Sequence, residues 1–381
     1  MQYRPFGKKL DLEVSALGFG SMRLPIIGDN PRHIDEKEAI QLLRQGIDSG
    51  INYLDTAYIY HEGESEKLIG KALKDGYRDK VWLADKMPCW SVNVHEDLDR
   101  IFQDQLHRLQ TEYIDFYLLH ALNQNSWKKM YELGALDWLE SQRAAGRIKY
   151  IGFSFHDNPD TLKTIIDTYD GWEFCQIQYN FLDTEVQAGT KGLQYAASQG
   201  LGVVIMEPLR GGKLAQPVDS IKEIWDSSDQ KKTPVEWALD WLWNQPEISV
   251  VLSGMSTREQ LNQNLTFVEK SKPGMLNQVE LAVVEKVKQA YSSLIKISCT
   301  SCRYCTPCPE NVEIPILFNM YNEATLFGNW AEVKQHYQKF KADGKSADYC
   351  IQCGVCETNC PQKLPIPELL KEVQEHLGKE D

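Results

Sequence analysis

From the N-terminus to residue 270, apolar and polar positions alternate in blocks rather than residue by residue. Short, nearly continuous apolar runs, each ending in a polar residue, trade places with stretches where apolar residues recur every three or four positions. Strand candidates fall at Leu17–Gly20, Asn52–Asp55, Val81–Lys86, Ile114–His120, Tyr150–Phe155, Phe174–Tyr179, Gly202–Glu207 and Ile248–Ser253. The helical period marks Glu36–Asp48, Ser65–Lys74, Val94–Leu109, Trp127–Ala145, Pro159–Thr168, Val186–Ser198, Pro234–Trp243 and Arg258–Phe267. Gly50, Gly146 and Gly200 stand just past helix ends, where a left-handed cap is wanted. Strands that are apolar on both faces and joined by helices read as a buried parallel sheet. Eight such units in succession predict a closed (β/α)8 TIM barrel rather than an open doubly wound sheet. No GxGxxG follows the first strand, which further weakens the open-sheet alternative.

Pro273–Gly274 then interrupts the chain. A helix is predicted next, with Leu276, Val279, Val283, Val287, Tyr291 and Leu294 forming a stripe suited to packing on the barrel. From Ile297 the composition turns to cysteine and proline, which predicts a barrel domain over 1–296 and a small, mainly helical domain over 297–381. The closing HLGKED is expected to be a solvated tail. A hydrophobic content of 42% with 25% charged residues is that of a globular chain. The formal charge of −13 speaks against a nucleic-acid binder, which needs a basic surface. No apolar stretch is longer than a strand, so no membrane span is expected. The opening MQYRPFGKKL has no apolar segment of a secretory signal.

The cysteines change the picture most. Of the 10 in the chain, only Cys89 and Cys175 precede residue 299. Cys175 lies within a strand and reads as a packing residue; Cys89, near the expected pocket rim, reads as loop filler rather than a reactive thiol. The other eight form two arrays, CTSCRYCTPCP (Cys299, Cys302, Cys305, Cys308) and CIQCGVCETNCP (Cys350, Cys353, Cys356, Cys360). Structural zinc sites favour paired, well-separated CxxC knuckles. Here each array is a triplet on a three-residue spacing with a fourth cysteine directly before proline. That pattern suits two cuboidal 4Fe–4S clusters, each taking three ligands from one turn and the fourth from elsewhere.

In the barrel, three strand ends carry ionisable residues: Asp55, Lys86 and His120, with Tyr60 in the loop after Asp55. Taken singly, such residues are more often loop anchors. Together on one rim they describe carbonyl chemistry. A tyrosine ordinarily titrates near 10, too high for efficient proton exchange at neutrality. A neighbouring ammonium is expected to lower that value, a buried carboxylate to hold the ammonium, and a histidine N–H to orient the substrate oxygen.

These residues sit in segments that resemble the aldo-keto reductases, NAD(P)-dependent barrel oxidoreductases. LEVSALGFGSMRL is similar to that family's opening strand, and GINYLDTAYIYHEGESEKLIGKAL, ADKMP and IDFYLLH to its catalytic segments. The resemblance implies that Asp55, Tyr60, Lys86 and His120 are the catalytic positions, with Tyr60 the proton donor. It also implies cofactor contacts from Ser21, Met22 and Asp55, from Ser154 in GFSFH and from Gln176 in QIQYN. Met206 stands where many relatives stack an aromatic ring on the nicotinamide. EPLRGGKL resembles the pyrophosphate loop, implicating Pro208, Leu209, Gly211 and Lys213. SGMSTREQLNQN resembles the adenosine-phosphate loop, implicating Ser253, Gly254, Ser256, Arg258 and Asn264. Arg258 is either a 2′-phosphate ligand or simply an exposed first-turn residue, so NAD and NADP both stay open. The two cysteine arrays resemble a two-cluster ferredoxin of the helical, inserted type. That likeness implies crossed ligation: Cys299, Cys302 and Cys305 with Cys360, and Cys350, Cys353 and Cys356 with Cys308. The shorter spacing before Cys308 departs from the ferredoxin pattern.

The function expected from these features is interconversion of a small carbonyl compound and an alcohol with NAD(P)H, in a reducing cytoplasm. Hydride carries two electrons and a 4Fe–4S cluster passes one, and no flavin fingerprint bridges them. The clusters are therefore structural, sense redox state, or exchange electrons with a partner such as ferredoxin or a flavoprotein. The alternative is an electron-transfer or redox-sensing subunit whose barrel binds nucleotide for regulation. Trp90, Tyr58 and Trp127 are candidates for an aromatic wall at the pocket mouth, or for loop packing.

Overall fold

The structure, a computed structural model, describes residues 1–299 and 303–379. Cys302 lies outside the described residues. By compactness the chain forms two units: Met1–Gly211 with Val235–Gln278, and Gly212–Pro234 with Val279–Asp381.

The first unit is the expected barrel. A short hairpin, β1 (Tyr3–Pro5) and β2 (Glu13–Ser15), precedes the eight barrel strands. These are β3 (Leu17–Gly20), β4 (Tyr53–Asp55), β5 (Trp82–Met87), β6 (Ile114–Leu122), β7 (Ile148–Phe155), β8 (Phe174–Gln178), β9 (Gly202–Met206) and β10 (Val250–Ser253). Every neighbouring pair is parallel, and β10 closes on β3. Each apolar run identified in the sequence is thus a barrel strand. The hairpin was not foreseen. Its Phe6 and Val14 join Tyr53, Phe116, Phe174 and Val250 in a cluster inside the barrel, with the Phe6 and Phe116 rings 4.6 Å apart. Gly7, at φ 71°, lies so close to the Gly202 backbone that no Cβ could be accommodated.

The helices follow their apolar stripes, with one division. The expected single helix Trp127–Ala145 is two, Gln124–Glu132 and Ala135–Ala144, because Gly134 at φ 71° turns the chain between them. Asn123 caps the first of these reciprocally with Ser126.

The second unit is mainly helical. Its described helices include Gln278–Ser293, Ile314–Phe327, Trp330–Ala342 and Ile366–Leu377. Gly328, at φ 67°, ends the second of these in a left-handed cap. Two expectations are corrected here. Val279 is 74% exposed, and the buried face of Gln278–Ser293 is Glu280, Val284, Val287 and Tyr291; Tyr291 meets the Phe327 ring, so the helix packs with the C-terminal residues. HLGKED is not wholly a tail, since Leu377 ends a helix and is fully buried. Asp348 ties this unit together, accepting from Tyr337 (2.7 Å), Ser346 (2.8 Å) and Gln374 (3.3 Å). Among the described residues, no helix is long and apolar enough to cross a membrane.

Candidate active site

The strand order of the barrel brings Asp55, Lys86 and His120 to one rim, because they lie at or within two residues of the C-terminal ends of β4, β5 and β6. Lys86 Nζ donates to Asp55 Oδ1 at 2.6 Å, to the Thr56 carbonyl at 2.7 Å and to the Tyr60 hydroxyl at 3.4 Å. It also lies 4.8 Å from the centre of the Tyr60 ring. His120 meets that ring edge-on at 6.3 Å. It sits where the β6–β7 register slips between Leu119 and Leu122, a bulge that re-aims a side chain at the rim. The four residues expected to act together are therefore in one place.

Tyr60 opens a short turn, Tyr60–Gly63, in which His61 and Glu62 take left-handed φ values of 52° and 55°. That turn is pinned by buried His61, whose Nε2 accepts from Leu24 N (3.1 Å) while Nδ1 donates to the Pro31 carbonyl (2.6 Å).

The electrostatics differ from expectation in one respect. Burial raises the Tyr60 pKa, and the opposing pull of Lys86 does not outweigh it. The sequence predicts the reverse because it shows the ammonium but not the depth of the phenol. A raised value suits a group that must arrive at a carbonyl still protonated. Burial likewise raises Asp55 against the pull of Lys86. Lys86 is opposed by burial, yet Asp55 and Tyr60 carry its pKa upward, so it stays an ammonium. His120 falls well below its ordinary value through burial and then the Lys86 charge, which keeps it neutral. Among the described residues its buried Nδ1 has no partner, nor has Asp55 Oδ2.

Behind the strand lies a network that sequence reading missed. Asp85, fully buried, has its carboxyl held far above the usual range, by burial first and then by Glu66. Gln105 Nε2 donates to Asp85 (2.8 Å), Glu66 (3.2 Å) and the Lys86 carbonyl (3.0 Å), and Arg108 closes on Glu66 at 2.9 Å. The signal was present: an acid directly before Lys86 in an otherwise apolar strand.

The expected cofactor residues divide into two groups. Ser154 and Gln176 are register partners on β7 and β8, both buried. Ser154 Oγ accepts from Ala121 N at 2.7 Å, leaving its own proton to donate, while among the described residues buried Gln176 Oε1 has no partner. One donor beside one orphaned acceptor is the complement of a carboxamide, so these residues fit a nicotinamide. Ser253 accepts from Asn264 at 3.0 Å. Ser256 Oγ donates to the Arg23 carbonyl at 2.6 Å, and Ser21 Oγ accepts from Ser65 at 2.9 Å. Met206 is half-buried at the end of β9, followed by buried Pro208 and half-buried Leu209. Met22 is exposed. The two basic candidates are already paired: Arg258 with Glu38 at 2.8 Å, and Lys213 with Glu323. Of the three mouth aromatics, Trp90 is exposed with its ring 5.0 Å from that of His120. Tyr58 donates to Asp104 and Trp127 packs on Trp172, so these two are packing residues. Cys89 and Cys175 are buried, and burial pushes both thiols up to about 12.

In the second unit, burial pushes the Cys356 thiol up to about 11, followed by the nearby Cys350, Cys308 and Cys353. Cys308, from the first array, therefore stands among the second. Conversely, Cys360 lines a small apolar cavity with Cys299 and Cys305, beside Ile314, Phe318 and Leu364. Among the described residues, no three His, Cys, Asp or Glu side chains converge on a single-ion position. The two gatherings of thiols fit the donor set of iron–sulfur chemistry.

The sequence itself matches known proteins in both parts. Residues 16–280 match the aldo/keto reductase family and residues 298–365 a 4Fe–4S dicluster domain. The chain belongs to the aldo/keto reductase family and is an NAD(P)-dependent oxidoreductase carrying an iron–sulfur domain. Among curated relatives, the probable aldo-keto reductase 1 of Glycine max is 28% identical over 288 residues, covering 66% of this chain and 80% of that protein. Methylglyoxal reductase YeaE of Escherichia coli (strain K12) is 27% identical over 290 residues, 71% of this chain and 93% of its own. Among solved structures, the holo form of aldo-keto reductase AKR11C1 from Bacillus halodurans is 26% identical, with a TM-score of 0.63 over 75% of this chain and 96% of its own. An aldo-keto reductase from Klebsiella pneumoniae, solved in complex with NADPH, shares the fold at 24% identity and a TM-score of 0.61, covering 76% of this chain and 96% of its own.

Proposed function

We propose that the barrel reduces a small aldehyde or ketone to an alcohol, with Tyr60 giving the proton to the carbonyl oxygen. The supporting observation is Lys86 Nζ, shared between the Asp55 carboxylate and the Tyr60 hydroxyl. Asp55 holds the ammonium, and the ammonium stabilises the phenolate as Tyr60 gives up its proton. Neutral His120, edge-on to the Tyr60 ring, orients the substrate oxygen. Ser154 and Gln176 hold the carboxamide of the cofactor and so fix which face of its ring meets the substrate. The nicotinamide, when bound, supplies hydride to the carbonyl carbon. NADP(H) is the dinucleotide favoured by the NADPH complex of the Klebsiella neighbour.

Two 4Fe–4S clusters are proposed for the second unit, one held by Cys350, Cys353, Cys356 and Cys308, the other by Cys299, Cys302, Cys305 and Cys360. Each would join the two arrays to one another. The protein is placed in the cytoplasm, where thiolate clusters survive.

Cluster-replete protein assayed for NAD(P)H oxidation on a panel of carbonyl compounds tests the reading. Tyr60→Phe should lower the rate by roughly 10²- to 10⁴-fold. An inactive wild type, or a variant as fast as wild type, sinks it. Cys353→Ser separates the cluster roles. Insoluble or unfolded protein marks a structural cluster; folded protein that has lost only electron transfer to ferredoxin or a flavoprotein marks a relay.

A further inference from the structure

Lys86 is the hub of the active site, yet its own backbone lies where the barrel wall runs short. The last pairing of β4 with β5 is Asp55 with Ala84, and the Ala84 carbonyl accepts from Thr56 N at 2.9 Å. Residues two apart in a parallel strand turn their backbone groups to the same side, so Lys86 presents its own to an edge that β4 has already left. Side chains take the place of the missing strand. Asp85 Oδ1 accepts from the Lys86 N–H at 2.8 Å, and Gln105 Nε2 donates to the Lys86 carbonyl at 3.0 Å. Gln105, on the helix Glu96–Leu109, is held in that orientation by the Tyr117 hydroxyl, which donates to its Oε1. The same Nε2 reaches Asp85 Oδ2 at 2.8 Å and Glu66 Oε1 at 3.2 Å, Glu66 standing on the helix Glu64–Ala72. Asp85, Glu66, Gln105 and Tyr117 are all fully buried.

The carboxyls of Asp85 and Glu66 are also hydrogen-bonded to one another. Carboxylates only accept, so such a bond needs one proton left on the pair. Arg108 closes on Glu66 Oε2 at 2.9 Å and favours the ionised form there, which leaves the proton on Asp85. Burial and the Glu66 charge act on Asp85 in the same direction, whereas at Glu66 burial is opposed by Asp85 and Arg108. As a neutral acid, Asp85 can shape the strand without setting a second carboxylate against Lys86 in competition with Asp55.

We propose that Asp85 is a positioning residue for carbonyl reduction: with Gln105 it replaces the strand that β4 does not supply and fixes the backbone from which Lys86 reaches Asp55 and Tyr60. This deepens the oxidoreductase reading above and rests on it.

The test compares cluster-replete wild type, Asp85→Asn, Asp85→Ala and Gln105→Leu in NADPH-dependent reduction of the aldehyde that wild type turns over fastest. Asp85→Ala should lower kcat by roughly ten- to hundredfold, because Lys86 shifts relative to Tyr60. KM for NADPH should hold, since Ser154 and Gln176 stand on other strands. Asp85→Asn offers the same acceptor to Lys86 N and a donor to Glu66, so it should stay within about threefold of wild type. Gln105→Leu should fall between the two. Infrared spectra should show a carboxylic-acid C=O band in wild type that shifts in D2O and is missing from Asp85→Asn. Asp85→Ala as fast as wild type overturns the proposal, and so does Asp85→Asn as slow as Asp85→Ala. A KM for NADPH that rises as far as kcat falls marks general loosening and overturns it too, as does a wild type without the acid band. Should Asp85→Ala not fold, Gln105→Leu decides: slowed turnover supports the proposal and an unchanged rate overturns it. Wild type that reduces no carbonyl compound sinks the oxidoreductase reading and this inference with it.

Discussion

The two units of this protein hold their functional groups in place by opposite means. In the barrel, Lys86 touches Asp55, Tyr60 and the Thr56 backbone, and each of those is carried by a strand or a pinned turn. The polypeptide alone assembles that site. In the second unit, the described thiols other than Cys356, which lies in the short helix Val355–Thr358, sit outside helices around a much smaller core of side chains such as Leu317, Phe318, Tyr337 and Leu370. Cys308 and Cys360 each stand with the other array, so the clusters proposed above would link the arrays. One unit is preorganised by burial and hydrogen bonding; for the other we propose organisation by ligation.

The strongest way to break this contrast is to remove the clusters. Chelation, or Cys356→Ser, should abolish amide-exchange protection in Ile314–Phe327 and Ile366–Leu377 while Ile148–Phe155 stays protected. Equal losses in both units would end the distinction. The reverse experiment is Lys86→Met, which should slow carbonyl reduction by roughly 10²- to 10⁴-fold and leave iron content and visible absorption untouched. Iron lost from that variant would show that the units are not independent.

A finer probe is Asp348, the polypeptide's own contribution to the second unit. Burial would raise its pKa, but Tyr337, Ser346, Lys341 and Gln374 outweigh burial and hold it at about 2. The unfolded chain binds a proton more readily, so the stabilisation is complete above about pH 5 and is lost as pH falls toward 2. Asp348→Ala should cost about 1–3 kcal/mol at neutral pH and flatten that acid limb in denaturant titrations. A wild-type limb that is already flat would remove Asp348 from the account. The smallest effect concerns Tyr60. Because burial raises its pKa, the reduction rate should stay level from about pH 7 to pH 9. A decline with a midpoint inside that range would mean that Lys86 prevails over burial after all.

Much of this was legible in the chain. The barrel strands are nearly continuous apolar runs, and such runs have few other uses. Asp55, Lys86 and His120 stood out because a charged or ionisable residue ending an apolar strand is conspicuous. The cysteine triplets carried their chemistry in their spacing. What stayed hidden depends on partners far away in sequence. Nothing near Arg258 discloses Glu38, and nothing near Lys213 discloses Glu323. The β1–β2 hairpin was missed because three-residue strands beside Lys8 and Lys9 leave almost no periodic signal. The net direction of the Tyr60 pKa was out of reach for another reason. It is a balance between one visible charge and a depth that only the folded chain defines.

The burial of Cys89 and Cys175 has a practical consequence. With both thiols pushed up to about 12, neither offers appreciable thiolate at neutral pH. Any cysteine of the folded protein that a thiol-alkylating reagent captures should therefore come from the C-terminal arrays. Mass-spectrometric mapping of the adducts would turn the cysteines into an occupancy gauge, silent when the arrays are loaded and sounding one residue at a time as iron departs.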